Sequence, residues 1–194
     1  MLIVVRHGRT ALNEDGTERM RGWSPVPLTP EGEQDAVRVG QQLQRWPDPI
    51  HRVVTSDLPR AQQTAATIGQ AVRQAPTVEP GLRDWNIGIL VGQPVHEMLP
   101  VVHELLDHPD SAPPHGEPYA AFAARVMPTL DRLVRAPGTT VAVTHNRVLT
   151  LASAMAQQKP ALLKEKGPVE PGGFLVIGPD WKIQHIAKGD GQEG

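Results

Sequence analysis

The sequence predicts an α/β protein, a three-layer αβα sandwich built on a mostly parallel sheet. Short apolar runs that suit buried strands alternate with longer segments whose apolar residues recur at helical spacing. Strands that alternate with helices form mainly parallel sheets, and helices cover both faces of such sheets. Ligands of these folds bind at the carboxyl ends of the strands. The residues that follow each strand are therefore the first place to look for a function.

The first strand and the first helix have clear boundaries. Leu2–Val5 is an unbroken apolar run, as a buried strand requires. The helix begins after Thr29, a typical N-cap residue, with Pro30 at its first position and acidic residues in its first turn. Its predicted inner face consists of Ala36, Val37, Gly40, Leu43 and Trp46.

The remaining elements continue the alternation. We expect strands at 52–56, 139–145, 173–178 and 182–186, and helices at 59–72, about 94–107, about 118–135 and 146–158. The last two strands suit a hairpin that turns at Pro179 and Asp180.

Length and composition indicate one ordinary globular domain. The chain has 194 residues, a net charge of −2 and 39% hydrophobic residues. We expect a single domain over residues 1–188 and a disordered tail over 189–194, which is polar and rich in glycine. The slightly negative charge argues against a nucleic-acid partner. No apolar run approaches the roughly 18 residues that span a membrane. No signal peptide is recognisable either, so the expected location is the cytoplasm.

Three of the strands end in residues that are capable of chemistry. Leu2–Val5 runs into Arg6 and His7, the second strand ends at Ser56, and a later strand ends at His145. A strand that only supports the fold would normally end in turn residues, so the cationic end of the first strand indicates a site. The chain has no cysteine, which excludes disulfides, cysteine-ligated metals and thiolate nucleophiles.

Six segments, in order along the chain, carry a family resemblance: VVRHGRTALN, RGWSPVPLTPEGEQDA, TSDLPRAQQTA, LRDWNIGILVG, HGEPYAAFAARV and VAVTHNRVL. Together they resemble the histidine phosphatase superfamily, also called the phosphoglycerate mutase-like family. Arg-His-Gly alone would be a weak signal. Its place at the end of the first strand, followed by Ser-x-Leu-x-Arg-Ala-x-x-Thr-Ala and a strand-terminal Thr-His, makes the set specific. The resemblance implies the phosphoglycerate mutase-like fold and the phosphatase branch of the family.

The resemblance implies a two-step phosphoryl transfer through a phosphohistidine. His7 would attack phosphorus, while Arg6, Arg60 and His145 would hold the phosphoryl oxygens. General chemistry agrees, because a phosphate monoester carries roughly −1.5 to −2 charges at pH 7 and arginine pairs with two oxygens at once. Neighbouring arginines also lower the proton affinity of a histidine, which keeps a ring nitrogen free to attack.

Three further residues are predicted to bind substrate. Asn13 matches a family position that donates a hydrogen bond to phosphate, and Gly22 matches a loop that approaches the substrate. Asn146 follows the second histidine. No metal or organic cofactor is implied, because arginines neutralise the charge. His96 and His103 each begin a His-Glu pair but lack the second histidine of a zinc motif.

Asp84 is the predicted leaving-group acid, and here the sequence departs from the family. The usual Leu-x-Glu is Leu82-Arg83-Asp84, whose acid is shorter by about 1.5 Å and has a reference pKa of about 3.9. Burial and phosphate charge would both raise that pKa. The acid phosphatase branch instead places an Asp directly after the second histidine, where this chain has Asn146. Asp84 is thus the acid that the motifs supply.

The residues favour hydrolysis of a small phosphorylated metabolite and leave two alternatives open. The longer insertion of the mutases is missing between Asp84 and His145, and HGEPYAAFAARV is close to a phosphatase-branch signature. One alternative is phosphoglycerate mutase-type transfer. The other is a phosphate-binding or regulatory domain with little turnover, which Asp84, Asn146 and Pro25 would favour. The sequence sets neither the substrate nor the oligomeric state, so a homodimer stays open. The candidate pocket-lining residues are Arg9, Arg21, Trp23, Trp85 and His115.

Overall fold

The computed structural model describes residues 1–13 and 18–189, which form one mixed six-stranded sheet flanked by five helices. The strands are β1 (Leu2–Arg6), β2 (Ile50–Thr55), β3 (Thr77–Val78), β4 (Thr139–Thr144), β5 (Phe174–Ile177) and β6 (Ile183–Ala187). The helices are α1 (Pro30–Gln44), α2 (Pro59–Val72), α3 (Val95–Asp107), α4 (Tyr119–Arg135) and α5 (Asn146–Gln157). None of these helices is long and apolar enough to cross a membrane.

The sheet has the strand order β3-β2-β4-β1-β5-β6. Strands β1 to β4 run parallel, whereas β5 pairs antiparallel with β1, and β6 antiparallel with β5. The α/β class and the final hairpin are confirmed, with an antiparallel edge on an otherwise parallel sheet. β3 is a strand that the sequence patterns did not indicate. It has two exposed residues, too few for any periodicity.

Helices cover both faces of the sheet, and β1 shows how the two cores are divided. Leu2 and Val4 pack in the core under α3, α4 and α5, whereas Ile3 and Val5 pack in the core under α1 and α2. Successive residues of a strand point to opposite faces, so a strand that is buried on both faces is apolar at every position. The three-layer prediction is therefore confirmed.

The predicted inner face of α1 is wrong at one position. Val37 is 46% exposed, whereas Val39 is fully buried. The buried stripe uses Ala36, Val39 and Leu43, spaced by three and four residues as a helix face requires, and a single exposed valine beside it is ordinary. Thr29 caps the helix as predicted, since its hydroxyl accepts a hydrogen bond from the Gly32 N–H at 3.2 Å.

The sheet brings the three strand ends together. β2, β4 and β1 are neighbours, the His7 N–H donates to the Thr144 carbonyl, and the Ser56 N–H donates to the Val143 carbonyl, both at 3.0 Å. Residues 190–194 of the predicted tail lie outside the described residues. Gly189, the first residue of that tail, accepts a hydrogen bond from Arg38 Nε at 3.0 Å.

Candidate active site

His7 lies at the centre of the site and presents one unprotonated nitrogen. Its side chain is buried, and its Nδ1 lies 2.7 Å from the Gly8 carbonyl oxygen, which can only accept a hydrogen bond. Nδ1 therefore carries the proton, and Nε2 carries the lone pair. Arg60 Nε donates to that Nε2 at 3.1 Å, which agrees with this tautomer. The ring is thus fixed as an electron-pair donor that faces Arg60.

Burial and neighbouring cations keep both histidines neutral. The pKa of His7 is lowered well below 6.5, first by burial and then by the charges of Arg60 and Arg21. The pKa of His145 is lowered in the same way, by burial and then by Arg60. The centroids of the two rings are 5.3 Å apart. At neutral pH both imidazoles are therefore uncharged, and the positive charge of the site comes from its arginines.

Arg6 and Arg60 are buried cations held by backbone carbonyls. Arg6 Nη1 donates to the Val169 carbonyl at 2.9 Å, and Arg60 Nη2 donates to the Gly22 carbonyl at 2.8 Å. Burial lowers the pKa of each guanidinium to about 10, so both remain charged at neutral pH. Arg6 Nε is buried and has no partner among the described residues, which leaves it free to donate to a ligand.

His145 is held by Ser56, a residue to which the motifs assigned no role. Its Nε2 lies 2.8 Å from Ser56 Oγ, and its buried Nδ1 has no hydrogen-bond partner among the described residues. Leu58 N–H donates to the same hydroxyl oxygen at 3.3 Å, so the Ser56 proton can point to Nε2. In that arrangement Nδ1–H is an unused donor beside His7. The signal was present in the Ser-x-Leu-x-Arg segment, but the contact joins β2 to β4 and depends on the fold.

Asp84 reaches the site despite its short side chain. Its Oδ2 lies 3.4 Å from Arg60 Nη2 and 4.0 Å from His145 Nδ1. Burial raises the pKa of this carboxyl above its ordinary value, and the charge of Arg60 opposes that rise. Side chains of two distant segments hold the Asp84 backbone in place. Trp23 Nε1 and Arg125 Nη2 both donate to the Asp84 carbonyl, at 2.7 and 3.2 Å. Neither contact is visible from sequence.

Two of the three predicted substrate-binding residues lie in the wall of a cavity, and the third does not. Gly22 and Asn146 line the cavity in front of Arg6. Asn13 does not, since its Oδ1 accepts from the N–H and the hydroxyl of Thr10, both at 3.0 Å, and so closes its own turn. A contact between Asn13 and phosphate stays a prediction.

The cavity at this edge of the sheet has a volume of about 530 Å³. Its cationic end holds Arg6 and Arg21, and Asp84 lies in its wall. Farther out, apolar side chains from several elements form the wall: Met20, Trp85, Ile87, Val95, Leu99 and Val102. The volume lies within the range of about 300–1,000 Å³ typical of small-molecule sites.

Of the five candidate lining residues, two are found in the cavity wall, Arg21 and Trp85. Arg9 instead forms a bidentate salt bridge with the buried Asp35, with Nε and Nη2 each 2.9 Å from a carboxylate oxygen. Trp23 and His115 are outside the lining of this cavity. Arg147, which the motifs did not single out, is inside it.

A buried neutral histidine between fixed arginines, at the carboxyl edge of a parallel sheet, is a site suited to an anionic phosphoryl group. Comparison with known proteins agrees with this class. The model of the histidine phosphatase superfamily (branch 1) matches residues 2–181, so the chain belongs to that superfamily. The predicted family and its fold are therefore confirmed.

Named relatives are similar to this chain over most of its length. A probable phosphoglycerate mutase GpmB of Yersinia enterocolitica is 31% identical over 141 residues, which span 70% of this chain and 64% of the relative. The chain thus aligns with less than two thirds of that relative's length. The crystal structure of a phosphoglycerate mutase from Thermus thermophilus has a TM-score of 0.74 and 32% identity, covering 96% of this chain and 97% of the other. That of TTHB049 from the same organism has a TM-score of 0.73 and 30% identity, covering 96% and 98%.

Proposed function

We propose that this protein is a metal-independent phosphomonoester hydrolase that acts through a phosphohistidine at His7 on a small phosphorylated metabolite. The observation that carries this function is the fixed tautomer of His7. Its protonated Nδ1 is bound to the Gly8 carbonyl, and its Nε2 lone pair meets Arg60 at 3.1 Å. Asp84 Oδ2 lies 3.4 Å from another nitrogen of the same guanidinium, Arg60 Nη2. A nucleophile, a clamp and an acid are therefore adjacent.

In the first step, His7 Nε2 attacks phosphorus and the ester P–O bond breaks. Arg60 turns its N–H from Nε2 to a phosphoryl oxygen, which frees the lone pair, and Arg6 Nε and His145 Nδ1–H donate to the remaining oxygens. A protein accelerates phosphoryl transfer mainly by stabilising the negative charge on these oxygens in the transition state. The protonated Asp84 carboxyl donates its proton to the leaving oxygen, a role favoured by its raised pKa.

In the second step, the Asp84 carboxylate takes a proton from water as the water oxygen attacks phosphorus. The P–N bond breaks, inorganic phosphate forms, and His7 regains its Nε2 lone pair. Residues 85–144 contain α3 and α4 and no additional insertion that would enclose the substrate. The lack of such an enclosure favours water as the acceptor.

The test is release of phosphate from para-nitrophenyl phosphate in excess EDTA. We expect turnover by the wild type and by His108→Ala, whose histidine is exposed outside the cavity. His7→Ala should lose turnover while keeping its melting temperature within a few degrees. Acid-labile labelling of the wild type by a ³²P-phosphoester, absent in His7→Ala, identifies the intermediate. Activity retained by His7→Ala would exclude His7 as the nucleophile.

Mutase activity is the second candidate, because two relatives are named phosphoglycerate mutases. A mutase returns the phosphoryl group to a second oxygen of the same molecule faster than to water. Phosphate exchange between the carbons of a phosphoglycerate that outruns phosphate release would select this candidate. A domain that only binds would show a phosphate or vanadate thermal shift without turnover, and Asp84→Glu would then test whether the short acid is the cause.

A further inference from the structure

Arg147 is a cation of the cavity wall that has no carboxylate partner in the described part of the chain. Other cavity-lining cations lie within 4.0 Å of a carboxylate: Arg6 with Glu18 and Glu170, Arg21 with Glu18, Lys164 with Asp107 and Lys166 with Glu170. Arg19 is exposed to water. Across residues 1–13 and 18–189, no carboxylate lies that close to Arg147, whose Nη1 donates only to the Leu163 carbonyl at 2.8 Å.

The position of Arg147 relates it to the leaving group. It lies in the first turn of α5, two residues after His145, and its guanidinium carbon is 5.8 Å from the centroid of the Trp85 ring. Trp85 directly follows Asp84, the proposed leaving-group acid, and all three residues line the same cavity. Arg147 therefore shares with Asp84 the cavity into which the part of a substrate that departs with the ester oxygen would extend.

A partly buried guanidinium that contacts no carboxylate is costly unless a ligand supplies the charge. Arg147 is only partly exposed, and burial lowers the pKa of its guanidinium, while the more distant charges of Tyr119 and Asp84 oppose that fall. Removing such a group from water is repaid by a hydrogen-bonded anion. In the proposed mechanism Arg6 and Arg60 already bind the transferred phosphoryl group, so a second anionic group would have to belong to the rest of the substrate.

We propose that Arg147 binds a second anionic group, a carboxylate or a second phosphoryl group, on the leaving-group side of the substrate. This inference rests on the proposed hydrolase function and names its substrate class: phosphomonoesters whose organic part is itself anionic. The apolar wall formed by Met20, Leu99 and Val102 accommodates the carbon skeleton between the two charged ends.

The test compares nearly isosteric esters that differ in charge. Para-nitrophenyl phosphate is paired with the ortho, meta and para isomers of carboxyphenyl phosphate, and glycerol monophosphate with glycerol bisphosphate. For Arg147→Gln we expect kcat/KM for at least one anionic ester to fall about 10- to 100-fold more than for its uncharged partner. The ratio between variants cancels the intrinsic reactivity of each leaving group. Loss confined to the carboxylates, or to the bisphosphate, identifies which anion is bound.

Two further variants keep this test decisive. Arg147→Lys retains the charge and should recover part of the selectivity, while Arg45→Gln, an exposed arginine after α1, should change no ratio. Equal losses for charged and uncharged esters in Arg147→Gln would overturn the assignment and leave Arg147 as a packing partner of Trp85. If the wild type hydrolyses none of the esters, the hydrolase function fails by itself. Calorimetric binding of the same pairs to wild type and Arg147→Gln then tests the second anion contact separately.

Discussion

Arg60 Nε donates a hydrogen bond to His7 Nε2 at 3.1 Å, so a buried guanidinium occupies the lone pair of the candidate nucleophile. The other two guanidinium nitrogens are held by the carbonyls of Ser24 and Gly22, both at 2.8 Å. The resting site is thus pre-organised, and one N–H must change partner when a phosphoryl group arrives. The planar shape of the guanidinium permits this small change without moving its anchors.

Arg60→Lys should lower kcat/KM by about 10²- to 10³-fold, as loss of a pre-organised donor does in other enzymes. A lysine ammonium carries its three donors on one nitrogen, so it cannot reach the positions that the three separate guanidinium nitrogens of Arg60 occupy. Steady-state kinetics with para-nitrophenyl phosphate measures the loss. Arg73→Lys, at the exposed end of the same helix, is the matched control and should retain full activity. A loss below about threefold in Arg60→Lys would show that charge alone suffices at this position.

Asp84→Asn should make the enzyme sensitive to the leaving group. Without an acid, alkyl phosphates should lose about 10²- to 10⁴-fold in kcat/KM, while aryl phosphates with acidic phenols should lose far less. The parameter kcat/KM reports formation of the phosphohistidine, so the later water step does not obscure the trend. Asp110→Asn, an exposed carboxylate, serves as control. The same loss for every leaving group would rule Asp84 out as the proton donor.

Gly22→Ala should cost both stability and activity. The residue has a φ of +44°, an added Cβ would lie 2.6 Å from Ile87 Cγ1, and its carbonyl anchors Arg60. Gly92→Ala is the matched control, because Gly92 has a φ of +82° and an added Cβ would meet nothing within 4 Å. We expect about 1–2 kcal/mol of lost unfolding free energy from backbone strain in Gly92→Ala and a larger loss in Gly22→Ala. Only Gly22→Ala should reduce kcat/KM, by at least about tenfold. Equal effects in denaturant titrations and kinetics would remove the role given to this carbonyl.

Acid should destabilise the fold through the two buried histidines. Both have pKa values lowered well below 6.5 in the fold, so below pH 6.5 the unfolded chain binds protons that the folded chain does not. The unfolding free energy therefore falls as pH drops below 6.5, by up to about 1.4 kcal/mol per pH unit for each histidine. Asp84 changes the unfolding free energy in the opposite direction. Its pKa is raised in the fold, so the stability that it contributes is present below pH 3.8 and is lost as pH rises through the pKa in the fold.

Urea titrations between pH 7.5 and 5 measure that slope. His7→Gln should make the slope smaller by up to about 1.4 kcal/mol per pH unit, the share of one histidine. An identical slope in wild type and His7→Gln would mean that His7 is protonated in the folded state.

The helices and strands whose boundaries depend on a few neighbouring residues were predicted well. Thr29 and Pro30 set the start of α1, and the apolar runs located β1, β2 and β4, because capping and hydrophobic periodicity act over a few residues. The meeting of His7 and His145 also followed from the sequence, since parallel strands end at one edge. Val37 was placed on the wrong face because an apolar residue beside a buried stripe carries no signal of direction.

The reach of Asp84 could not be predicted from its side chain. One methylene fewer than glutamate suggested a misplaced acid, but the backbone is held by Trp23 and Arg125, which come from distant segments. Likewise, Asn13 is used by its own turn, and Ser56 meets His145 across two strands. The contacts of Asp84 and His145 are set by packing over long sequence separations.

By itself, the sequence determined the α/β class, the family and the strand ends that carry Arg6, His7 and His145, because these follow from local patterns and from motifs of fixed spacing. The tertiary structure decided which nitrogen of His7 holds the lone pair, and it left the partly buried Arg147 with no carboxylate within 4.0 Å among residues 1–13 and 18–189. Both depend on partners far away in the chain: the tautomer on the contact with Arg60, and the isolation of Arg147 on where the fold places the carboxylates of the cavity.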